Sequence, residues 1–339
     1  MTDQDSTATA TGIEIIQQTA TGSSVTSSTS RGADFYFQCA VIIIGVVGTA
    51  ANALILYAMV ASKQHKKQVL IFNQNALDLV SCLCLVITYA AKLCDVYLTG
   101  KHGYWLCLII LSEGIFWCPN VGSLINLAAI TTERYLKIVH PVWSKKSLRN
   151  WMIYSTVAFS WIAGAVITAG VTVPTTDIVD GACYAQVFWR SRVAQLAYGI
   201  WYFLSFYVII LLIFIFGYWR ILIAIRRQAT VMAGHVAAGP STAAQTQSNH
   251  IQTNIVKTMI LVSVFFAITW SPITIYYLVM FIDSKFTLLE NFYYVLIFIA
   301  LLYICTNPFI YAIKFNPVKR TLLRLIPCKK NSVQPVESI

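Results

Sequence analysis

The sequence predicts an all-α membrane protein, a seven-transmembrane helix bundle with a short amphipathic cytoplasmic helix after the seventh span. Three observations predict it. Of 339 residues, 58% are hydrophobic and 11% charged, against about 25% charged in a soluble domain. Seven apolar runs are long enough for the ~20 residues that cross a bilayer core, and runs of ~10 alternating residues, the mark of a membrane barrel, are missing. The basic residues fall between the apolar runs, predominantly on one side.

In chain order, residues 1–34 are Ser/Thr-rich and lack an apolar signal region, which predicts a disordered extracellular tail without a cleavable signal. The spans are expected at about 35–61, 69–97, 104–138, 150–173, 193–225, 252–282 and 287–313. The connections after the first, third and fifth spans, the span ends that adjoin them and the C-terminal tail carry eighteen Lys and Arg, and six remain for the other side. By the positive-inside rule the N-terminus is extracellular and the C-terminus cytoplasmic, as in a multi-pass plasma-membrane protein. The segment 228–250 is rich in small and polar residues and reads as a mobile cytoplasmic loop. Phe315–Ile326 sets Val318, Leu322 and Leu325 against Lys319, Arg320 and Arg324, an amphipathic helix for the inner leaflet. Cys328 beyond it is a candidate for palmitoylation. The receptor domain is thus expected over 35–328, with a short cytoplasmic tail at 329–339.

The net charge of +11 does not point to nucleic acid. The cations flank membrane spans, so anionic lipid and an acidic cytosolic partner account for them. The nine cysteines have neither CxxC pairing nor metal-ligand spacing. No HExxH or GxSxG occurs, which argues against a membrane enzyme. No internal repeat with broken helices occurs, which argues against a transporter.

The stretch Gly122–Pro141 organises the rest. An apolar helix there runs into Glu133-Arg134-Tyr135 and a basic loop, and the stripe Phe116, Asn120, Ser123, Leu127, Ile130 places Arg134 on the core face. Charged and polar residues inside spans are expensive and therefore informative. Asn52, Asp78, Trp161, Phe266, Thr269-Trp270-Ser271-Pro272 and Asn307-Pro308-Phe309-Ile310-Tyr311 stand in successive spans.

With the pair Cys107/Cys183, this set resembles the rhodopsin-like (class A) G-protein-coupled receptors over roughly residues 36–328, with a general similarity to the somatostatin/galanin-type peptide branch. The resemblance implies coupling of an extracellular ligand to a heterotrimeric G protein by outward movement of the sixth helix. It implies a Cys107–Cys183 disulfide and a polar set of Asn52, Asp78 and Asn307, with Asp78 and Ser123 holding an allosteric sodium ion. Arg134, flanked by Glu133 and Tyr135, would meet the G protein. Trp270 and Phe266 would form the toggle beneath the ligand, Pro272 and Pro308 the helix kinks, and Tyr218 and Tyr311 the tyrosines that swing inward.

Departures from the family pattern matter too. Cys107 lies 27 residues before Arg134, about two more than usual, which predicts a bulge near Cys118-Pro119. Ile210 replaces the usual proline of the fifth span. Tyr303 and Ile304 stand where small polar residues complete the sodium site. Gln252 stands where an acidic partner of Arg134 is common.

Phe116 occupies the position of the amine counter-ion, and the seventh span has no lysine for retinal. The ligand is therefore expected to be a peptide, with a lipid-like or other apolar ligand, or constitutive activity without one, as alternatives. Pocket candidates are Lys92, Glu113, Phe116, Trp189, Tyr202, Tyr277 and Tyr294, with Lys92 and Glu113 as polar anchors or as a salt bridge with each other. Ser332 and Ser338 alone are available as phosphate acceptors after the amphipathic helix, so arrestin binding is expected to be weak.

Overall fold

The computed structural model describes residues 27–94, 96–185, 188–234, 242–283, 289–314 and 316–325. Seven helices in it are long and apolar enough to cross a membrane: Gly32–Ala61, Val69–Leu93, Gly100–Val139, Asn150–Thr175, Arg192–Arg227, Thr253–Ile282 and Asn291–Ile313. They are the first to seventh spans below. The end of the bundle near Cys107 is termed outer and the end near Arg134 inner, after the charge asymmetry. The first helix begins at Ser27, inside the segment whose composition reads as tail. The second stops at Leu93, short of the expected 97, and Val96–Thr99 runs on without helix. A terminal helix, Asn316–Leu325, follows the seventh span with Val318 buried and Lys319 and Arg320 exposed. Cys328, Ser332 and Ser338 lie outside the described residues.

Packing follows from which faces carry small or apolar side chains. The first span packs on the second and seventh, the third on the second, fourth and fifth, and the sixth on the fifth and seventh. Between the third and fourth spans the backbones meet at Gly122 and Gly164. A Cβ on Gly164 would collide with the Cys118 carbonyl oxygen and lie 2.9 Å from the Gly122 nitrogen. Such small-residue contacts replace the hydrophobic drive that lipid removes.

The third span is not one continuous α-helix. An α-segment, Gly100–Leu106, passes into a π-helical turn, Cys107–Leu111. Glu113 then adopts a left-handed conformation, φ 65°, before the helix restarts at Gly114. The residues in excess of the usual spacing are taken up here, about a turn outward of the expected Cys118-Pro119. Pro119 is accommodated inside the helix that follows, whereas the Glu113 break gathers its own bonds. Glu113 N–H donates to Ile110 at 2.9 Å, and its carbonyl accepts from Phe116 and Trp117, both at 2.9 Å. The fifth span, without its proline, still carries a π-helical turn at Leu204–Val208.

Over the outer end lies a hairpin of β1 (Asp177–Val179) and β2 (Ala182–Tyr184), paired antiparallel. Its turn, Asp180-Gly181, has φ of 52° and 78°, the two positive values of a type I′ turn that matches strand twist. Cys183 forms the expected disulfide with Cys107 at a Cα–Cα distance of 5.3 Å.

Gly164→Ala is expected to destabilise the protein by about 1–3 kcal/mol through overpacking. Thermal unfolding of the purified protein checks it. An unchanged midpoint would show that the third and fourth spans can separate at no cost.

Candidate functional site

Three clusters bring the candidate residues together along the axis of the bundle. Outermost is a cavity of about 440 Å³ between the third, fifth, sixth and seventh spans, with Ala185 at the end of the hairpin on its wall. Lys92, Glu113, Phe116, Tyr202, Tyr277 and Trp270 all line it. The left-handed turn at Glu113 swings its carboxylate toward the second span, where it accepts from Lys92 Nζ at 2.6 Å and from Tyr89 Oη at 3.0 Å. Of the two sequence alternatives for this pair, the structure has the salt bridge, at the cavity edge and partly exposed. The rest of the wall is largely aromatic or aliphatic, including Trp117, Tyr198, Tyr276, Met280, Phe281 and Tyr293. Such a lining, with few polar anchors, is the usual character of a ligand site.

Two expected pocket residues are placed elsewhere. Trp189 is not part of the wall and packs at a tilt against Tyr198, with ring centroids 5.2 Å apart. Tyr294 turns toward the first span, hydrogen-bonded to Asp34 and stacked on Phe37 at 4.6 Å. Aromatic residues at the outer rim are drawn to neighbouring helices as readily as to a cavity, and hydropathy does not distinguish the two.

Below the cavity the rings are in series. Trp117 meets Trp270 at 6.2 Å, Trp270 meets Phe266 at 6.2 Å, and Phe266 meets Phe214 at 6.0 Å and Tyr303 at 5.4 Å. Phe214 meets Tyr218 at 6.1 Å. Pro272 lies in the sixth helix, two residues after Trp270, and Pro308 in the seventh next to Asn307. Each removes one main-chain donor, leaving those helices easier to bend.

At mid-depth Asp78 is fully buried. Its Oδ1 accepts from Ser123 Oγ at 2.7 Å and Gln74 Nε2 at 3.4 Å, and its Oδ2 from Asn307 Nδ2 at 2.9 Å. Asn52 is not bonded to Asp78. It donates to the carbonyl of Gly48 at 3.0 Å and, at 3.5 Å, to that of Ile304, tying the first span to the seventh. Gln74 with Asn73 and Asn126 went unremarked in the sequence. The run Asn73-Gln74-Asn75 inside an apolar helix was the available signal.

At the inner end Arg134 is 2% exposed. Its Nη2 donates to the Gln68 side chain and lies 3.4 Å from Glu133, which itself holds Lys137 at 2.5 Å. Gln68, at the start of the second span, is the partner that sequence reasoning missed. The side chain of Gln252, considered for that role, lies outside the described residues. Tyr218 joins three helices: it pairs with Thr131 at 2.9 Å and accepts from Ser263 at 3.2 Å. Tyr311 is buried nearby in the seventh helix, and Tyr135 points outward to His140 at 3.3 Å. No group of three or more potential metal ligands occurs among the described residues.

Comparison with known proteins agrees with this layout. Residues 51–311 match the family described as 7 transmembrane receptor (rhodopsin family). The neuropeptide Y receptor type 2 of Mus musculus is 26% identical over 313 residues, covering 86% of this chain and 75% of the relative. The QRFP-like peptide receptor of Branchiostoma floridae is 24% identical over 311 residues, covering 87% and 78%. A shorter match of 25% over 135 residues, 38% of this chain and 35% of the relative, joins it to the C5a anaphylatoxin chemotactic receptor 1 of Rattus norvegicus.

Two substitutions separate structural from superficial bonds. Tyr218→Phe removes the hydroxyl that links three helices and is expected to cost about 1–2 kcal/mol. Lys92→Gln breaks a partly exposed pair and is expected to cost under about 1 kcal/mol. Thermal unfolding of both variants checks the order, and a larger loss for Lys92→Gln would reverse this reading.

Proposed function

We propose, from the premise that the chain belongs to the rhodopsin family of seven-transmembrane receptors, that it transmits binding of an extracellular peptide to a heterotrimeric G protein. The observation that carries this reading is the unbroken series of packed rings from the cavity, through Trp270 and Phe266, to Tyr218 beside the Arg134 helix. A ligand entering from outside displaces Trp117 or Trp270. Phe266 must then repack, and the sixth helix, weakened at Pro272, swings outward at its inner end. That exposes Arg134 to the G protein. The two long relatives, a neuropeptide Y receptor and a QRFP-like peptide receptor, support the ligand class. The apolar wall also favours a second reading, a lipid-like ligand, whose acyl or ring system would fill the same space.

In this reading the protein acts in the plasma membrane with its N-terminus outside, which the distribution of its basic residues supports, and its terminal helix rests on anionic lipid. Screening peptide and lipid collections for stimulated nucleotide exchange on several G proteins tests the assignment. Exchange driven by a peptide, with potency shifted about tenfold or more by Lys92→Gln or Glu113→Gln, is expected. Substrate uptake by vesicles with no exchange under any ligand would overturn it.

The arginine bears on basal activity. Its described partners, Gln68 and Glu133, tie the third span to the second and to itself, not to the sixth. A hydrogen bond to a charged group contributes about 1.5–3 kcal/mol, and each ~1.4 kcal/mol changes a small active population tenfold. Measurable ligand-independent exchange is therefore expected, lowered by Gln252→Glu and raised by Gln68→Leu. Equal basal exchange in all three forms at matched surface levels would remove Arg134 restraint from the account.

A further inference from the structure

The buried amides around Asp78 form a directed series whose sense is imposed at two points. The indole nitrogen of Trp161 can only donate. It donates to Asn73 Oδ1 at 2.9 Å, so the Asn73 nitrogen must face the other way. There it donates to Asn126 Oδ1 at 2.9 Å and to Ser160 Oγ at 3.3 Å. The Asn126 nitrogen in turn donates to Gln74 Oε1 at 2.8 Å and to the Leu70 carbonyl at 2.9 Å. A main-chain carbonyl can only accept, which fixes the same sense a second time. Gln74 is left with its nitrogen turned toward Ser123 Oγ and Asp78 Oδ1. Ser123, accepting from Gln74, donates to the same carboxylate oxygen at 2.7 Å.

This arrangement does not fit a sodium ion at Asp78 and Ser123. A cation needs the lone pairs on Asp78 Oδ1 and Ser123 Oγ, and those are the pairs at which the Gln74 N–H and Ser123 O–H are aimed. Placed there, the ion would face the positive ends of both dipoles. In the seventh span Ile304 brings only hydrocarbon and Tyr303 packs its ring against Phe266 at 5.4 Å. Asn307 Oδ1 and the Tyr303 hydroxyl are buried without a partner among the described residues, but neither relieves the two donors aimed at Asp78 Oδ1 and Ser123 Oγ.

We infer that the Gln74 carboxamide performs at Asp78 the task of a bound cation, so that the protein holds this carboxylate without sodium, and that Trp161 and the Leu70 carbonyl together set the amide in the required sense. The series crosses from the fourth span to the second, third and, through Asn307, the seventh. It joins four helices without an exchangeable component.

The test uses purified full-length protein and thermal unfolding, which depends on neither ligand nor G protein and so fails or succeeds apart from the proposed function. In sodium chloride and choline chloride at equal ionic strength, wild type is expected to unfold at the same temperature. Gln74→Met keeps the volume and removes the N–H donors. It is expected to gain a saturable, sodium-specific rise of roughly 2–4 °C. Gln74→Leu, which removes the same donors, is expected to show the same gain, and serves if Gln74→Met does not fold. A saturable sodium-specific rise in wild type overturns the inference, as does indifference to sodium in the folded variants.

Discussion

A carboxylate at the centre of an apolar bundle has to be met by donors, and the middle of this protein is arranged around meeting it. Asp78 draws Ser123 from the third span, Gln74 from its own helix and Asn307 from the seventh. Each of those groups has a position in the packing that the others depend on. Ser123 sits next to Gly122, where the third and fourth backbones touch. Asn307 stands beside Pro308, and Gln74 extends the network to Asn126, Asn73 and Trp161. Burying a charge is costly enough that removing any one donor leaves the remainder uncompensated. Polar satisfaction therefore specifies helix rotation here, where hydrocarbon packing alone would admit several.

The two ends of the molecule use different physics. The cavity is lined by rings whose contacts are non-directional and can rearrange, with one ion pair at its edge. The inner end relies on directional bonds: Tyr218 to Thr131 and Ser263, and Arg134 to Gln68. A soft upper half above a hydrogen-bonded lower half suits a device that converts a change of packing into the breaking of a few defined bonds.

Much of this was legible in the sequence because a membrane makes composition informative. Apolar length marks the spans, and Asp78, Arg134, Trp270, Pro272 and Asn307 stand out against hydrocarbon. The third-span break was visible only as a spacing excess. Where it falls depends on Glu113 reaching Lys92 on another helix, which no local pattern records. The Asp180-Gly181 turn did carry a short-range signal, since both positions need positive φ, and was not read. Trp189 and Tyr294 do not line the cavity, for a general reason: an aromatic ring at the rim is equally at home facing a cavity or a neighbouring helix. Gln68 and Gln74 were overlooked because a glutamine in isolation looks solvated, and its meaning comes only from the acceptor or cation it reaches.

The hairpin over the cavity is held by groups common to any sequence. Cys183 bonds to Cys107, the Gly181 carbonyl accepts from Leu98 N–H at 2.9 Å, and Phe188 N–H donates to the Thr175 carbonyl at 3.1 Å. Apart from the two cysteines, these anchors are main-chain atoms. The side chains at Ile178, Val179, Ala182 and Tyr184 take no part in these anchors, and none of them lines the cavity. Exchanging them alters the outer surface of the roof and leaves its attachment in place.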